Sequence, residues 1–343
     1  MIFCDINLAP SRREGAFCFV QKADALFIVI GGNNMQRVVD YFVNRDFSNI
    51  VPGASVGAEI ETSLVERQGG RPISLQTSQM IMQQLIDSGQ WNLQESKGGL
   101  ISALMDKQGN RICYELGRQN FEVVTVPSQV DSLLVKTRGL LGQLYLAAEK
   151  YGAEPFFGPV LHTEENLLII PDARDATWLQ VDGKRALEFL SRISAVQFTI
   201  AVEKNRAISC LNQLAGKLDI FLDYYPQHVN WLAYIAGSNA GYAHSRYGGP
   251  LYFESIADYA RQLTGHGVIT ESVRPSLREP CTGNLRPLSE VVDLDIPMYL
   301  RSVWWHFRLK VYGDCLCIEV RPIGRRNDDQ LEEQLDLVMS CFS

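Results

Sequence analysis

The chain has 343 residues, 46% hydrophobic and 21% charged, an ordinary balance for a globular protein able to bury a large core. A net charge of −7 argues against binding nucleic acid through bulk positive charge, and no apolar run approaches the roughly 20 residues of a membrane helix, so neither partner is expected. Asp5 interrupts the opening apolar stretch, which does not read as a signal peptide. The eight cysteines show no CxxC pair or zinc spacing and read as reduced thiols of a cytoplasmic protein.

In chain order, Leu26 to Ile30 reads as a short strand and Asn34 to Asn44 as a helix, together an N-terminal extension over residues 1–50. A strand follows over Ser55 to Leu64, then a helix over Leu75 to Asp87. Leu100 to Met105 and Arg111 to Leu116 form a hairpin around Asp106 to Asn110, and Phe121 to Val126 is another strand. Gln129 to Tyr151 is an amphipathic helix with Leu133, Leu134, Leu141, Leu144 and Ala148 on its apolar face. A helix ends near Arg192 and a strand runs from Ala195 to Val202. Helical stretches follow at Ala207 to Leu222, Trp231 to Ser238 and, after a break at Gly248-Gly249-Pro250, at Tyr252 to Leu263. Residues 265–297 read as a Gly- and Pro-rich loop over a site, and Asp328 to Met339 as an acidic terminal helix. Strands separated by helices of unequal length predict an α+β fold with a mainly antiparallel sheet and, without an obvious linker, one domain over residues 1–343.

The most specific local signal is Trp305 to Gly324. Gly313-Asp314 suits a two-residue hairpin loop, which sets Arg308 against Glu319, Lys310 against Cys317 and His306 against Arg321. Alternation then places Phe307, Leu309, Val311, Leu316, Ile318 and Val320 on an apolar face and the charged residues on the other. A solvated sheet face looks similar; what argues for a site is that three other segments repeat the pattern with carboxylates.

In Ser55 to Leu64 one face carries Glu59 and Glu61. Two carboxylates at alternate strand positions repel unless a cation sits between them, and Mg²⁺ is the hard cation that prefers oxygen ligands; the other reading is a solvated edge strand. Glu115 and Glu122 are seven apart, so an unbroken strand puts them on opposite faces. Gly117 permits a bulge or turn that restores the parity, and a charged surface turn is the alternative. Gln197 lies on the polar side of its strand. Ser245-Arg246 fits a carboxylate or phosphate clamp, although a lone Arg is more often a surface ion pair. There is no P-loop, no dinucleotide fingerprint and no nucleophile elbow. A sheet face with several Glu, a Gln and a few Arg or Lys can hold two or more Mg²⁺ ions and a nucleoside triphosphate.

In this order, the segments resemble the glutamate–cysteine ligase family, a branch of the glutamine-synthetase-like carboxylate–amine ligases. Gly57-Ala58-Glu59-Ile60-Glu61 is similar to its G-x-E-x-E motif, and Tyr114 to Glu122 to its L-E-P-G-G-Q-F-E element, with Leu116 for Pro and Asn120 as an extra residue. Val196-Gln197-Phe198-Thr199 resembles the V-Q-V-N strand, and Ser245-Arg246 the S-x-R element. Phe307 to Lys310 with Ile318 to Arg321 resembles V-R-L-K followed by E-x-R. The resemblance implies an antiparallel sheet with a polar concave face and helices on its other side. It implies ATP as co-substrate with two or three Mg²⁺ on Glu59, Glu61, Glu115, Glu122, Gln197 and Glu319. Arg308, Lys310 and Arg321 would contact phosphate, with Arg308 and Arg321 catalytic, while Arg246, Ser245 and Thr199 would meet the substrate. The implied activity joins an amino-acid-like carboxylate to an amine through an acyl phosphate. Two alternatives keep the fold: phosphate transfer to a guanidino or other acceptor, and nucleotide binding without catalysis.

Overall fold

The computed structural model describes residues 31–47, 55–169, 179–270, 284–292 and 294–342. The strand expected at Leu26 to Ile30 lies outside them.

Strand β1 (Ser55–Glu66) is long enough to hold several partners. On one edge it pairs with β8 (Ala195–Ala201) and then β7 (Ala153–Phe156), and on the other with β6 (Ser128–Gln129) and then β5 (Asn120–Val124), all antiparallel. Strands β2 (Trp91–Lys97), β3 (Leu100–Asp106) and β4 (Arg111–Tyr114) continue the sheet beyond β5. At the far side lie β13 (Phe307–Tyr312) and β14 (Cys315–Gly324), so the order is β13-β14-β8-β1-β5-β4-β3-β2. The fold is α+β with a mainly antiparallel sheet, as the sequence predicts. Two short pairs stand apart: β9 (Tyr247–Gly248) runs parallel to β12 (Trp304–Trp305), and β10 (Val268–Thr270) antiparallel to β11 (Asn284–Arg286). The latter pair corrects the reading of residues 265–297 as loop throughout, a range that also takes in Ile296 and Pro297, the first two residues of the helix at Ile296–Arg301.

Helices α1 (Gly31–Val43), α2 (Leu75–Asp87) and α3 (Val130–Glu149) match their periodicity within a few residues. Ser74 caps α2 by accepting from the Thr77 amide at 3.0 Å, the side-chain oxygen satisfying an N–H that the first turn leaves open. One apolar face of the sheet, with Val56, Ala58, Ile60, Phe198, Ile200, Ile318 and Val320, is covered by Ile81 and Leu85 of α2, by Leu133, Leu140 and Leu144 of α3, and by other helical residues. Every one of those sheet positions alternates with a residue of the opposite, polar face. Helix α4 (Lys184–Leu190) ends just before β8. The single helix expected over Ala207 to Leu222 is two, α5 (Ala207–Ala215) and α6 (Leu218–Asp223): Gly216 caps the first by donating to the Asn212 carbonyl, and Lys217 leaves helical geometry. Helix α7 (His228–Gly237), α8 (Ile256–Leu263), α9 (Ile296–Arg301) and α10 (Leu331–Met339) complete the described helices used below. None of the described helices is long and apolar enough to cross a membrane.

Candidate active site on the buried polar face

The Gly313-Asp314 hairpin has the expected register, with Arg308 opposite Glu319, Lys310 opposite Cys317 and Tyr312 opposite Cys315. Gly313 sits at φ +56°, the conformation a primed hairpin turn asks of its first loop residue. The Arg321 amide donates to the His306 carbonyl at 3.0 Å, extending the pairing one step further. Next to β8 the ladder slips between Val320 and Ile323. Two residues, Arg321 and Pro322, therefore face Gln197 alone, and Pro322, lacking an N–H, is suited to a bulge. The bulge turns Arg321 toward its neighbours: its Nη1 donates to Gln197 Oε1 at 2.9 Å and to Glu319 Oε2 at 3.1 Å.

Glu319 is fully buried and meets three cations, Arg308, Lys310 and Arg321. Burial alone would raise its pKa; the three positive charges outweigh that and hold the carboxyl well below the usual range. The resemblance implies a metal ligand at Glu319; in the structure its carboxylate is instead the shared counter-ion of Arg308, Lys310 and Arg321. Lys310 also approaches Glu59 at 3.6 Å. At this cationic end a cavity of about 70 Å³ opens between Tyr41, Glu59, Leu300, Arg308, Lys310 and Tyr312.

The carboxylates occupy the neighbouring strands. Glu59 stands opposite Gln197 on β8, and Glu61 stands directly opposite Glu122 on β5. Like charges across a strand pair are destabilising, so this pairing is unfavourable to the fold unless a cation or shared protons relieve it. Glu115 joins them through the β4–β5 turn. Tyr114 pairs with Phe121 and Cys113 with Glu122, and the Glu115 amide donates to the Asn120 carbonyl at 3.1 Å. Reversing the chain in this way restores the parity that a straight strand would deny, and Glu115 and Glu122 share a face. The extra residue Asn120 pins the turn: its Nδ2 donates to the Ile193 carbonyl at 2.8 Å, and its Oδ1 accepts from Ser194 at 3.1 Å. A Cβ at Gly117 would lie 2.5 Å from the Ser191 carbonyl, so the turn packs against the entry to β8 at that point.

One carboxylate oxygen from each of Glu61, Glu115 and Glu122 lies within 4.8 Å of the others, all three residues being buried. Glu115 Oε1 and Glu122 Oε2 have no hydrogen-bond partner, nor does Glu59 Oε2. Burial, then the charge of Glu115, raises the pKa of Glu61 well above normal; burial, then Glu115, Glu59 and Glu61, does the same to Glu122. Glu115 and Glu59 are also raised by burial. Glu61 is held in place by the Ala195 amide at 2.9 Å and by Gln197 Nε2 at 3.3 Å. Gln197 therefore bridges the two halves of the face, accepting from Arg321 and donating to Glu61. Three buried carboxylates converging on one point, two of them with an unpartnered oxygen, are a donor set that a hard divalent cation takes.

Thr199 lies on the same polar face, opposite Glu319 and Gly57, and its Oγ1 has no hydrogen-bond partner. Ser245 is exposed, and its carbonyl accepts from Trp305 Nε1 at 3.1 Å. Arg246 corrects the expectation of a substrate clamp. It is 1% exposed, donating through Nε to the Ser302 carbonyl (2.7 Å), Nη1 to the Gly267 carbonyl (2.9 Å) and Nη2 to Ser302 Oγ (2.8 Å). Its guanidinium lies over the Tyr242 and Trp304 rings. With these partners it ties three chain segments together. Two residues of the face were missed. Arg111 lies four positions before Glu115, so alternation in the foreseen hairpin already places it on the carboxylate side. Lys97, buried on β2 and 3.5 Å from Glu95, carries charge near Glu115; β2 itself was not foreseen.

No protein-family model matches the chain, and no curated protein matches it by sequence. Solved structures similar to it include a glutamine synthase homologue (13% identity, TM-score 0.34, 88% of this chain and 56% of that one). A glutamate–cysteine ligase from Francisella tularensis in complex with AMP is similar at 12% identity and TM-score 0.46, over 86% of this chain and 67% of that one. A bifunctional glutathione synthetase from Pasteurella multocida follows at 10% identity and TM-score 0.40, over 86% and 37%. The chain spans little more than half of the first of these and about a third of the last. At such low similarity, the reading of the site rests on its own geometry.

Proposed function

We propose that the protein is an ATP- and Mg²⁺-dependent carboxylate–amine ligase that forms an amide through an acyl phosphate. The observation that carries the reading is the division of one buried sheet face into two charge zones. Three clustered carboxylates, Glu61 on β1, Glu115 just after β4 and Glu122 on β5, the last two each with an unpartnered oxygen, stand at one end, and three cations stand around Glu319 on β13 and β14 at the other.

Glu61, Glu115 and Glu122, with Glu59 beside them, fit divalent cations by donor type. Bound Mg²⁺ would supply neutralisation of the charge on a nucleotide's phosphates. Arg308, Lys310 and Arg321, preset by Glu319, bind and orient those phosphates from the other side. Gln197 holds the two zones in register. A substrate carboxylate oxygen attacks the γ-phosphorus of ATP; the bond to the β–γ bridging oxygen breaks and ADP leaves. An amine then attacks the acyl carbon, the acyl C–O bond breaks, and inorganic phosphate departs as the amine loses a proton. Burial of the face excludes the water that would otherwise hydrolyse the acyl phosphate.

The test is a trapping experiment. Full-length protein is incubated with ATP, Mg²⁺, hydroxylamine and single amino-acid-like carboxylates. The proposal predicts hydroxamate and inorganic phosphate in equal amounts with one class of carboxylate, and loss of both in Glu61→Gln. A stable phosphorylated product without hydroxamate would replace the reading with phosphotransfer. ATP binding without any turnover across the panel would replace it with a non-catalytic one.

A further inference from the structure

Helix α3 packs its inner face on the sheet, yet its outer face is apolar too. Val135 is 73% exposed and Leu146 is 65% exposed. They stand eleven positions apart, about three turns, and so lie on one line along the helix. Gly139 and Gly142 fall between them on that line. Arg138, at its edge, is turned away toward α10, donating to the Asp328 carbonyl and approaching Glu332 at 3.8 Å. A single exposed apolar residue carries no message; the two glycines set this line apart.

Glycine inside a helix destabilises it relative to alanine, and nothing in this fold asks for either one. A Cβ added at Gly139 or Gly142 would meet nothing within 4 Å. Gly117 is the contrast, since a Cβ there would run into backbone. What the pair on α3 provides is a smooth strip where the ridge of another helix can approach closely.

The line is also complementary to itself. Laid antiparallel on a second copy, with a two-fold axis between Leu140 and Leu141, Gly139 meets Gly142 and Val135 meets Leu146. Asp131 of one copy then comes level with Lys150 of the other, about 14 Å from the axis at 1.5 Å per residue. Both are exposed, opposite in charge and, among the described residues, without a hydrogen bond or ion pair. Antiparallel packing also sets the positive end of each helix beside the negative end of its partner.

We propose that the outer face of α3 is a homodimer interface, an antiparallel α3 pair crossing at Gly139 and Gly142 and closed at both ends by Asp131–Lys150 ion pairs. Such reciprocity is what a two-fold interface requires. Helix α3 lies on the apolar side of the sheet, so the dimer does not cover the polar face, and the inference stands apart from the ligase reading. A single helix pair is a small interface, and its dimer is weak and concentration-dependent.

The test is sedimentation velocity of the full chain over about 1–100 μM, the range of weak association. Wild type is expected to pass from monomer to dimer across it. Gly139→Ala with Gly142→Ala raises the dissociation constant at least about tenfold, yet melts higher than wild type at concentrations where both are monomeric. Asp131→Lys and Lys150→Asp each weaken the dimer, and the two combined restore it. A wild type that stays monomeric, a dimer indifferent to the alanine pair, or an alanine pair that melts lower would each overturn the proposal. A combined charge swap no better than the single changes would overturn the antiparallel register on which it depends.

Discussion

Two carboxylates of the same face sit in opposite electrostatic states. Glu319 is surrounded by Arg308, Lys310 and Arg321 and stays ionised, whereas Glu122 is buried against Glu115, Glu59 and Glu61 and resists ionisation. Their removal therefore acts in opposite directions. Glu319→Gln leaves three buried cations without their shared partner and is expected to cost about 3–5 kcal/mol in denaturant unfolding, the range for breaking one side of a buried pair. Glu122→Gln removes a charge whose folded pKa is raised. Such a group favours the fold fully below its unfolded pKa, and that contribution is lost as pH rises through the folded value. At pH 8 the metal-free variant is therefore expected to be more stable than wild type, and to lose stabilisation by Mg²⁺. A third residue reports on the interior behind the face. His306 is lowered to about 3 by burial and by the nearby charges of His228 and Arg321, with the Tyr225 and Tyr247 rings also packed against it. Below its unfolded pKa near 6.5 the unfolded chain takes up a proton that the fold refuses, so stability falls as pH drops from 7 to 5. The His306 share is about 2 kcal/mol; because the raised carboxylates act the other way in this window, it is read as the difference between wild type and His306→Gln in paired pH-dependent melts.

At the level of elements, the β13–β14 hairpin and the β4–β5 turn explain why so much of the face was readable. A two-residue loop at Gly313-Asp314 leaves one register, and that register carries Arg308, Lys310 and Glu319 to their positions without reference to the rest of the fold. The parity of Glu115 and Glu122 depended on the turn between them, which Gly117 hinted at and Asn120 fixes through Ile193 and Ser194. Gly117→Ala sets a Cβ 2.5 Å from the Ser191 carbonyl, and backbone cannot yield cheaply there. It is expected to cost more than about 2 kcal/mol, within the range of overpacking effects, and to abolish Mg²⁺ stabilisation although no carboxylate has changed. What was not legible lacks a local signal. Strand β2 is mostly polar, and its pairing with β3 is interrupted by register shifts. Strand β7 contains Pro155, which reads as a break. The expected clamp at Arg246 failed because an Arg in sequence does not show whether its partners are a ligand or backbone carbonyls, here of Ser302 and Gly267.

Across the whole molecule, one sheet serves two purposes through its two faces. The apolar side anchors α2, α3 and other helices in one large cluster of buried residues, and that anchorage sustains the unfavourable charge arrangement on the polar side. Sites of this kind trade stability for function, and the trade is relieved when ligand binds only the native state. The most direct measurement is therefore the melting temperature of the full chain with ATP, with Mg²⁺, and with both. The pair is expected to stabilise well beyond the sum of the two alone, by about 2.7 kcal/mol at 100-fold excess over the dissociation constant, and Glu61→Gln to abolish the gain. No shift with both ligands at saturating concentration would contradict it.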